Sequence, residues 1–356
     1  MARYKRGQGF EVHFSTGTDE HGQKIQRYAQ RAGKSPQEFV DQSSAYFKEL
    51  CHKLNIVYDD FIRTTQPRHI KTVQSILQKI YQKGDIYKGS YQGLYCVDCE
   101  TYYLGKDAPG GKCPIHEKEL EYITEQTYFF RLGQYQAAIK KHIEGNESFI
   151  LPSAKRKEVL TRLQEPLKDL SISRKTVSWG IPLPFDPEFT CYVWVEALMN
   201  YLTTLDYPGE KFKKFWPTFH LIGKDIVWHH SVIWGGLLLA LGLELPAGIF
   251  SHGFVTVNGQ KMSKSLGNVI DPILLADKYG QDALRYFLLR EIPSAEDGDF
   301  NEQRFKERYN SDLSSGIGNL TARILQLAEK LEDKLEYSEL DPQLQAALAN
   351  ASKIYR

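Results

Sequence analysis

The sequence has little of what would mark a secreted, membrane-bound or strongly charged protein. Five cysteines in 356 residues are too few for a disulfide framework, and this favours a reducing, cytoplasmic setting. The apolar stretch from Val232 to Leu243 is too short to cross a membrane, and the basic start of the chain is followed by no apolar block typical of a signal peptide. Lys and Arg total 45 against 44 for Asp and Glu, so any nucleic-acid contact would depend on local patches.

The remaining pattern is that of a globular α/β protein. Hydrophobic residues make up 42% of the chain, and apolar strand-like segments alternate with helical ones. We predict a strand over residues 10–16, a helix capped by Ser35 and a second helix from Pro67. Asn258-Gly259 indicates a tight turn between strands. Such alternation predicts a parallel, doubly wound sheet of the Rossmann type.

A cationic loop follows that turn. Residues 261–265 read Lys-Met-Ser-Lys-Ser, with two lysines three positions apart. Lys261 and Lys264 could close on a polyphosphate and stabilise the charge that develops as pyrophosphate leaves, because lysine acts as a flexible point charge. A K-x-x-K spacing without further context is more often a solvated surface loop.

Four residues have the spacing of a zinc site. Cys96 and Cys99 form a C-x2-C pair, and after thirteen intervening residues Cys113 and His116 form a C-x2-H pair. Two such turns can direct four ligands to a tetrahedral Zn²⁺, and a site with four protein ligands is closed and therefore structural. Unrelated thiols in a reducing cell are the alternative, but they explain the paired spacing poorly.

Several segments together resemble the methionyl branch of the class I aminoacyl-tRNA synthetases. They are Thr16–Gly22, Tyr192–Leu198, Ile222–Ile226 and His252–Gln260, which leads into the Lys-Met-Ser-Lys-Ser loop. The resemblance runs from about Tyr4 to about Leu327. It implies a Rossmann-type catalytic domain split by a zinc-bearing connective insertion, then a stem-contact fold and part of a helical anticodon-binding domain. The implied divisions are 1–85 and 191–250 for the two catalytic halves, 86–190 for the insertion, 251–300 for the stem-contact region and 301–356 for the helical domain.

The same resemblance implies roles for individual residues. Asp19 would hold the ammonium group of methionine, although an aspartate in a turn is by default a cap. The methionine side chain would lie among Trp194, Ala197, Tyr201 and His230, since aromatic faces suit a polarizable thioether, although such aromatics are commonly core residues. Contacts with ATP would come from Gly223, Asp225, His252, Val255 and Lys264. Anticodon contacts would come from Asn319 and Arg323, one helical turn apart. Leu198 and His229 stand where other members often have Pro and Phe.

The implied activity is that of a methionine-tRNA ligase. It would use Mg²⁺ with ATP to form methionyl-adenylate and then transfer methionine to tRNA(Met), with Zn²⁺ in a structural role; the residues do not distinguish a monomer from a homodimer. Class I synthetases carry a HIGH-type motif that binds ATP phosphates, and no H-x-G-H occurs in this sequence. We therefore expect the first strand and that motif to be missing, and the activity of the chain itself to be doubtful. A fragment of a normal enzyme is the favoured explanation. A non-catalytic relative that binds tRNA or protein, and a synthetase for a branched aliphatic amino acid, are the alternatives.

Overall fold

The computed structural model describes residues 1–98, 101–103, 108–115, 117–262, 267–330 and 341–354. The chain divides into two compact units, Met1–Phe300 and Asn301–Arg356. Within these described ranges, no helix is long and apolar enough to span a membrane.

The first unit is an alternation of short strands and helices. Its strands are β1 (Ser15–Thr18), β2 (Asp60–Arg63), β3 (Ile86–Cys96), β4 (Thr101–Tyr103), β5 (Glu121–Phe130), β6 (Ile150–Leu151), β7 (Leu170–Ser171), β8 (Ser173–Arg174), β9 (Pro182–Leu183), β10 (Asp186–Cys191), β11 (Phe219–Gly223), β12 (Gly248–His252), β13 (Val255–Val257), β14 (Gln260–Lys261) and β15 (Gly298–Phe300). Its helices are α1 (Ala2–Gly7), α2 (Gln23–Arg31), α3 (Pro36–Lys53), α4 (Pro67–Gln82), α5 (Gln136–Gly145), α6 (Ser153–Arg162), α7 (Val193–Leu198), α8 (Asn200–Thr203), α9 (Glu210–Phe215), α10 (Trp234–Ala240), α11 (Pro272–Tyr279) and α12 (Gln281–Arg290).

The local signals at the helix starts are confirmed. The Ser35 hydroxyl accepts a hydrogen bond from the backbone N–H of Glu38, and the Glu38 carboxylate accepts one from the backbone N–H of Ser35, which completes a capping box for α3. Helix α4 begins at Pro67 as predicted and buries the apolar stripe that starts at Val73.

The predicted strand from Phe10 is wrong at its start, because β1 begins at Ser15. The backbone N–H of Phe14 donates to the Asp59 carboxylate at 2.7 Å, and the Phe14 carbonyl accepts from the Asp59 N–H at 2.7 Å. This side-chain bond replaces the regular ladder before Ser15, so regular pairing with β2 begins one residue later.

Two separate sheets in the described residues contain only parallel pairings, and a third contains the parallel pair β13-β15 beside the antiparallel pair β13-β14. Of the two all-parallel sheets, one is β1-β2 and the other has the order β11-β12-β6. The three other sheets have the orders β4-β3-β5-β7, β8-β10-β9 and β14-β13-β15. Strands β3 and β5 form a long antiparallel pair from Ile86 opposite Phe130 to Tyr95 opposite Glu121.

One large apolar core joins α4, the long antiparallel pair and the β11-β12-β6 sheet. The largest side chains buried in it are aromatic, and they are Trp234, Phe130, Phe149 and Phe189. Burying aromatic side chains of this size is a main source of stability for the unit. In open α/β sheets, ligands bind outside the carboxyl ends of the parallel strands, beyond the apolar core.

The second unit is helical in its described residues. It contains α13 (Glu302–Arg308), a π-helical segment over Tyr309–Gly318, α14 (Asn319–Ala328) and α15 (Pro342–Ile354). Asn301 caps α13 by accepting hydrogen bonds from the backbone N–H groups of Gln303 and Arg304.

Candidate active site

The turn after β1 places one carboxylate at the surface and buries the next two side chains. Asp19 is exposed, whereas Glu20 and His21 are 1% and 6% exposed. The Glu20 carboxylate accepts hydrogen bonds from Arg63 at 2.7 Å and from the Thr18 hydroxyl at 2.7 Å. With its neighbours anchored in this way, Asp19 is presented at the carboxyl end of a parallel strand, where α/β sheets bind ligands.

A fully buried carboxylate supports this turn from α7. Glu196 has no exposed surface and lies 3.2 Å from Nδ1 of His21 and 2.9 Å from Nε2 of His69. The second ring nitrogen of His69 is 3.0 Å from the Thr203 hydroxyl. These contacts tie the turn to α4, α7 and α8 through hydrogen bonds to a charged group, which are the stronger kind.

The charges around the turn change its acid–base behaviour. Asp19 is open to solvent on one side but closely surrounded by protein, and desolvation, followed by the negative charge of Glu196, raises its pKa to about 6. Burial opposes ionisation of Glu196, but the hydrogen bonds from His21 and His69 outweigh it and hold the pKa of Glu196 below its usual value. The two carboxylates therefore differ. Glu196 is ionised throughout the neutral pH range, whereas Asp19 titrates just below that range.

Three of the predicted pocket residues lie on one helical face. Trp194 and Ala197 belong to α7 and Tyr201 to α8, at positions i, i+3 and i+7. The Tyr201 hydroxyl is 2.8 Å from Nε2 of His230, and Nδ1 of His230 is 2.9 Å from the Ile226 carbonyl. The structure thus brings Tyr201 and His230 into direct contact.

Histidines surround this aromatic pair. Trp194 stacks on His229 with ring centroids 4.2 Å apart, and the ring of Tyr201 lies 3.9 Å from that of His220. Burial lowers the pKa of His230 to about 4 and that of His229 to about 3. All of these rings are accordingly neutral at neutral pH, which leaves the Asp19 side without a fixed positive charge from them.

Asp19 and Tyr201 line a common cleft of about 710 Å³. The cleft extends between the edges of β1 and β11 and includes His220. Trp194, Ala197 and His230 are not part of its lining, but His230 lies directly behind Tyr201. The cleft runs along the whole of β1 and the first residues of β11, and it is large enough to hold a small-molecule ligand.

The residues predicted to contact ATP lie at the ends of neighbouring strands. Gly223 ends β11 and pairs in register with His252, which ends β12. A Cβ atom at Gly223 would lie 2.8 Å from a carboxylate oxygen of Asp225, so a larger residue here would require the Asp225 side chain to move. Val255 begins β13, which belongs to another sheet, three residues after His252, and Asp225 is two residues after Gly223.

The turn before the cationic loop has the predicted form. Asn258 and Gly259 both have positive φ, at 51° and 75°, which is the conformation of a two-residue hairpin turn. The Asp299 carboxylate accepts hydrogen bonds from the Gly259 N–H and the Thr256 hydroxyl, both at 2.7 Å. Lys264 and the Lys261 side chain lie outside the described residues.

Two of the four predicted zinc ligands are described. Cys96 and Cys113 are 2% and 1% exposed, and Cys113 lies 3.6 Å from the Tyr103 hydroxyl. Cys99 and His116 lie outside the described residues, and no cluster of three or more His, Cys, Asp or Glu suited to a metal is found among those that are described. Thiolates are donors that zinc binds well, so the two described residues, Cys96 and Cys113, fit the ion.

The predicted anticodon residues lie on a helix of the second unit. Asn319 and Arg323 belong to α14, are both exposed and are one turn apart, as the spacing predicted.

Comparison with solved structures defines the class of this fold. The chain is similar to a methionyl-tRNA synthetase from Mycobacterium tuberculosis bound by methionyl-adenylate, with a TM-score of 0.92 and 39% identity. The match covers 98% of this chain and 71% of that one. A second structure, of the same synthetase in complex with methionyl-adenylate, matches with a TM-score of 0.93 over the same shares. The α/β fold is therefore that of a class I tRNA synthetase.

Sequence comparison narrows the class to a family. The family described as tRNA synthetases class I (M) matches residues 1–126 and 105–325, and the chain belongs to this family. It is 49% identical to a methionine–tRNA ligase of Caldanaerobacter subterraneus over 94% of this chain, and 48% identical to one of Thermotoga maritima over 93%. The chain spans about half the length of these curated relatives, 53% and 54% respectively.

Sequence reasoning missed the buried network behind Asp19. A signal for it existed: Glu196 is the one charged residue of the apolar segment Val193–Leu198, and His69 precedes Val73 by one helical turn on the apolar stripe of α4. Polar residues at core positions of two helices predict that they meet, because a buried charge requires a partner. Glu196 lies within the segment Tyr192–Leu198 that resembles the family, whereas His69 lies in none of the segments that do.

Proposed function

We propose that the protein of which this chain is part activates methionine with ATP and transfers it to tRNA(Met). The observation that carries the proposal is the cleft lined by both Asp19 and Tyr201, with His230 hydrogen-bonded to Tyr201 behind it. A carboxylate suits an α-ammonium group, and a neutral aromatic pair suits a thioether. The similarity to a synthetase bound by methionyl-adenylate supports the same choice.

The proposed chemistry has two steps. The methionine carboxylate attacks the α-phosphorus of ATP, the bond to the β-phosphate breaks, and pyrophosphate leaves. A hydroxyl of the terminal adenosine of tRNA then attacks the methionyl carbonyl, and AMP leaves. Catalysis by the protein is mainly positioning and charge stabilisation, which Lys261 and Lys264 would supply as the pyrophosphate develops charge. Mg²⁺ would accompany ATP and neutralise part of its phosphate charge.

The two neighbouring strand ends favour a nucleotide beside the methionine pocket. Gly223 would let the ATP ribose approach the backbone, and the exposed Asp225 carboxylate would accept hydrogen bonds from its hydroxyls. His252 and Val255, which follow on the next strand, would meet the adenine and phosphates. Trp194 and Ala197 would form part of the pocket wall that contacts the methionine side chain, on the far side of Tyr201.

Three further features complete the proposal. Zn²⁺ held by Cys96, Cys99, Cys113 and His116 would stabilise an insertion over 86–190 between two catalytic halves, 1–85 and 191–250, as a closed structural site. The region 251–300 would contact the tRNA stem. Asn319 and Arg323, exposed on α14 within 301–356, would read anticodon bases. The reaction would occur in the cytoplasm.

The test is methionine-dependent exchange of pyrophosphate into ATP. It is run on this chain and on the chain extended at its amino end by the corresponding strand and HIGH motif of a family member, with leucine and isoleucine as control amino acids. We expect exchange with methionine in the extended version, and much less in the unextended chain. Exchange supported by another amino acid, or by none in either version, would contradict the assignment.

A further inference from the structure

Trp179 joins the turn that presents Asp19 to a distant part of the chain. Its indole N–H donates to the Glu20 carbonyl at 2.6 Å, and its own carbonyl accepts from the backbone N–H of Gly22 at 3.1 Å. Trp179 is 159 residues beyond Glu20 and lies between β8 and β9. One residue therefore holds the turn at two points, once with its side chain and once with its backbone.

The side-chain bond fixes the backbone next to Asp19. The peptide group that Asp19 shares with Glu20 is held by Thr64, whose hydroxyl accepts from the Glu20 N–H at 2.9 Å. The next peptide group carries the Glu20 carbonyl, and Trp179 holds that one. Thr64 has no exposed surface, so its hydroxyl is a fixed partner. The backbone that follows Asp19 is therefore held on both sides of Glu20, by Thr64 and by Trp179.

The segment that carries Trp179 is itself anchored. The Thr190 hydroxyl, on β10, donates to the Val177 carbonyl at 2.8 Å, two residues before Trp179. A Cβ atom at Gly180 would lie 3.1 Å from the Thr190 Cβ atom, so the residue after Trp179 also packs closely on β10. Thr190 and Val177 are both buried. The indole is therefore presented by a segment that β10 fixes, and β10 is not part of the turn that the indole holds.

We propose that Trp179 is a positioning residue that holds the turn so that Asp19 meets the α-ammonium group of the amino-acid substrate. Trp179 does not line the cleft, whereas Asp19 does, so Trp179 would act through Asp19 and not by touching the ligand. Hydrogen bonds between charged groups are strong, but they weaken steeply when their geometry is poor. The inference rests on the proposed function for the identity of the ligand. It does not rest on it for the hold of Trp179 on the turn.

The hold on the turn is measured without ligand by hydrogen exchange of backbone amides, followed by NMR. In Trp179→Phe, which keeps an aromatic ring and removes the donor, the Glu20 and Gly22 amides should exchange at least about tenfold faster than in the unsubstituted chain. The Ile249 amide, which donates to the Phe149 carbonyl at 2.7 Å in the core, should exchange at an unchanged rate. Equal acceleration at all three amides would indicate general destabilisation and would contradict the inference.

Two comparisons separate the hydrogen bond from the bulk of the ring. Replacement of Trp179 by 3-benzothienylalanine keeps the size of the side chain and removes its N–H, so it should reproduce the faster exchange, and it replaces Trp179→Phe if that variant does not fold. Trp216→Phe is the matched control, because the Trp216 indole N–H also donates to a backbone carbonyl, that of Glu244 at 3.1 Å. This bond does not involve the turn, so the exchange of the Glu20 and Gly22 amides should be unchanged.

Ligand binding provides the second readout, by calorimetry on this chain and on the version extended at its amino end. Trp179→Phe should weaken methionine binding about tenfold, because the ammonium group loses a well-placed partner. Its affinity for 4-(methylthio)butanoate, the analogue of methionine without the α-amino group, should be nearly unchanged. In Trp216→Phe both affinities should equal those of the unsubstituted protein.

The outcomes distinguish the inference from the proposed function. An unchanged methionine affinity in Trp179→Phe, or an equal loss of affinity for methionine and its analogue, would overturn the role of Trp179 and leave the proposed function intact. If neither unsubstituted version binds methionine while the amides of the turn exchange faster as expected, the proposed function fails and the hold of Trp179 on the turn stands.

Discussion

The hydrogen bond between Tyr201 and His230 leads to a prediction about stability. In Tyr201→Phe the ring is retained and the donor to Nε2 of His230, 2.8 Å away, is lost. His230 is 3% exposed, and its Nδ1 already donates to the Ile226 carbonyl, so Nε2 is left as a buried acceptor without its partner. The loss of one partner from a buried hydrogen bond costs about 1–3 kcal/mol.

The expected result is a fall in the free energy of unfolding of about 1–3 kcal/mol, seen as a decrease of a few degrees in the melting temperature. The control is Tyr207→Phe: Tyr207 is also partly buried, but its hydroxyl makes no hydrogen bond within the part of the chain that the structure describes. The free energy of unfolding of that variant should lie within about 0.5 kcal/mol of that of the unsubstituted chain.

A double-mutant cycle isolates the pair. Tyr201→Phe, His230→Leu and the double variant are compared by denaturant unfolding, and the coupling energy should be about 1 kcal/mol. Nitrogen-15 NMR of the histidine ring should place the proton of His230 on Nδ1, and, because burial lowers the pKa to about 4, this tautomer should persist down to about pH 5. A coupling energy near zero, or a proton on Nε2, would refute the donor and acceptor roles derived from the structure.

Four further predictions concern binding, folding and metal content. Methionine affinity should be highest above pH 6 and fall about tenfold between pH 7 and pH 5, because the ammonium group pairs with the ionised form of Asp19, whose pKa is raised to about 6; a flat affinity profile by calorimetry would contradict this. Gly223→Ala should weaken ATP binding measured by equilibrium dialysis, because its Cβ atom would lie 2.8 Å from the Asp225 carboxylate; unchanged binding would show that the approach is not needed. Ser35→Ala should lower the free energy of unfolding by about 1 kcal/mol through loss of the helix cap, and Ser35→Asp, which can still cap, is the control. Elemental analysis should find one zinc per chain, and less in Cys96→Ser or after treatment with a chelator; a full zinc content in that variant would exclude the proposed ligand set.

Much of the secondary structure follows from local sequence. The capping box at Ser35 and the positive φ values of Asn258 and Gly259 depend on residues within three positions of each other, so the pattern was sufficient. The start of β1 was predicted too early because it depends on a bond from Phe14 to Asp59, 45 residues away. No local pattern near residue 10 contains that information.

For the candidate site, the location of the residues could be predicted from the sequence, but their acid–base state could not. Asp19 and Tyr201 were singled out because their motifs resemble a family, and the structure places both at one cleft. Their acid–base state was not predictable, because it comes from burial and from Glu196, which is 177 residues beyond Asp19 in the chain. Desolvation and Coulomb energies depend on distance in space, which the order of residues does not specify.

The sequence by itself determined the family, the helix caps and turns, and the candidate residues of the site, since each is carried by residue types at short, fixed spacing. Tertiary structure alone decided that Glu196 is buried between His21 and His69, and that Tyr201 donates to His230. The physical reason is that a buried charge or hydrogen bond gains its energy from partners brought together by the packing of distant helices and strands.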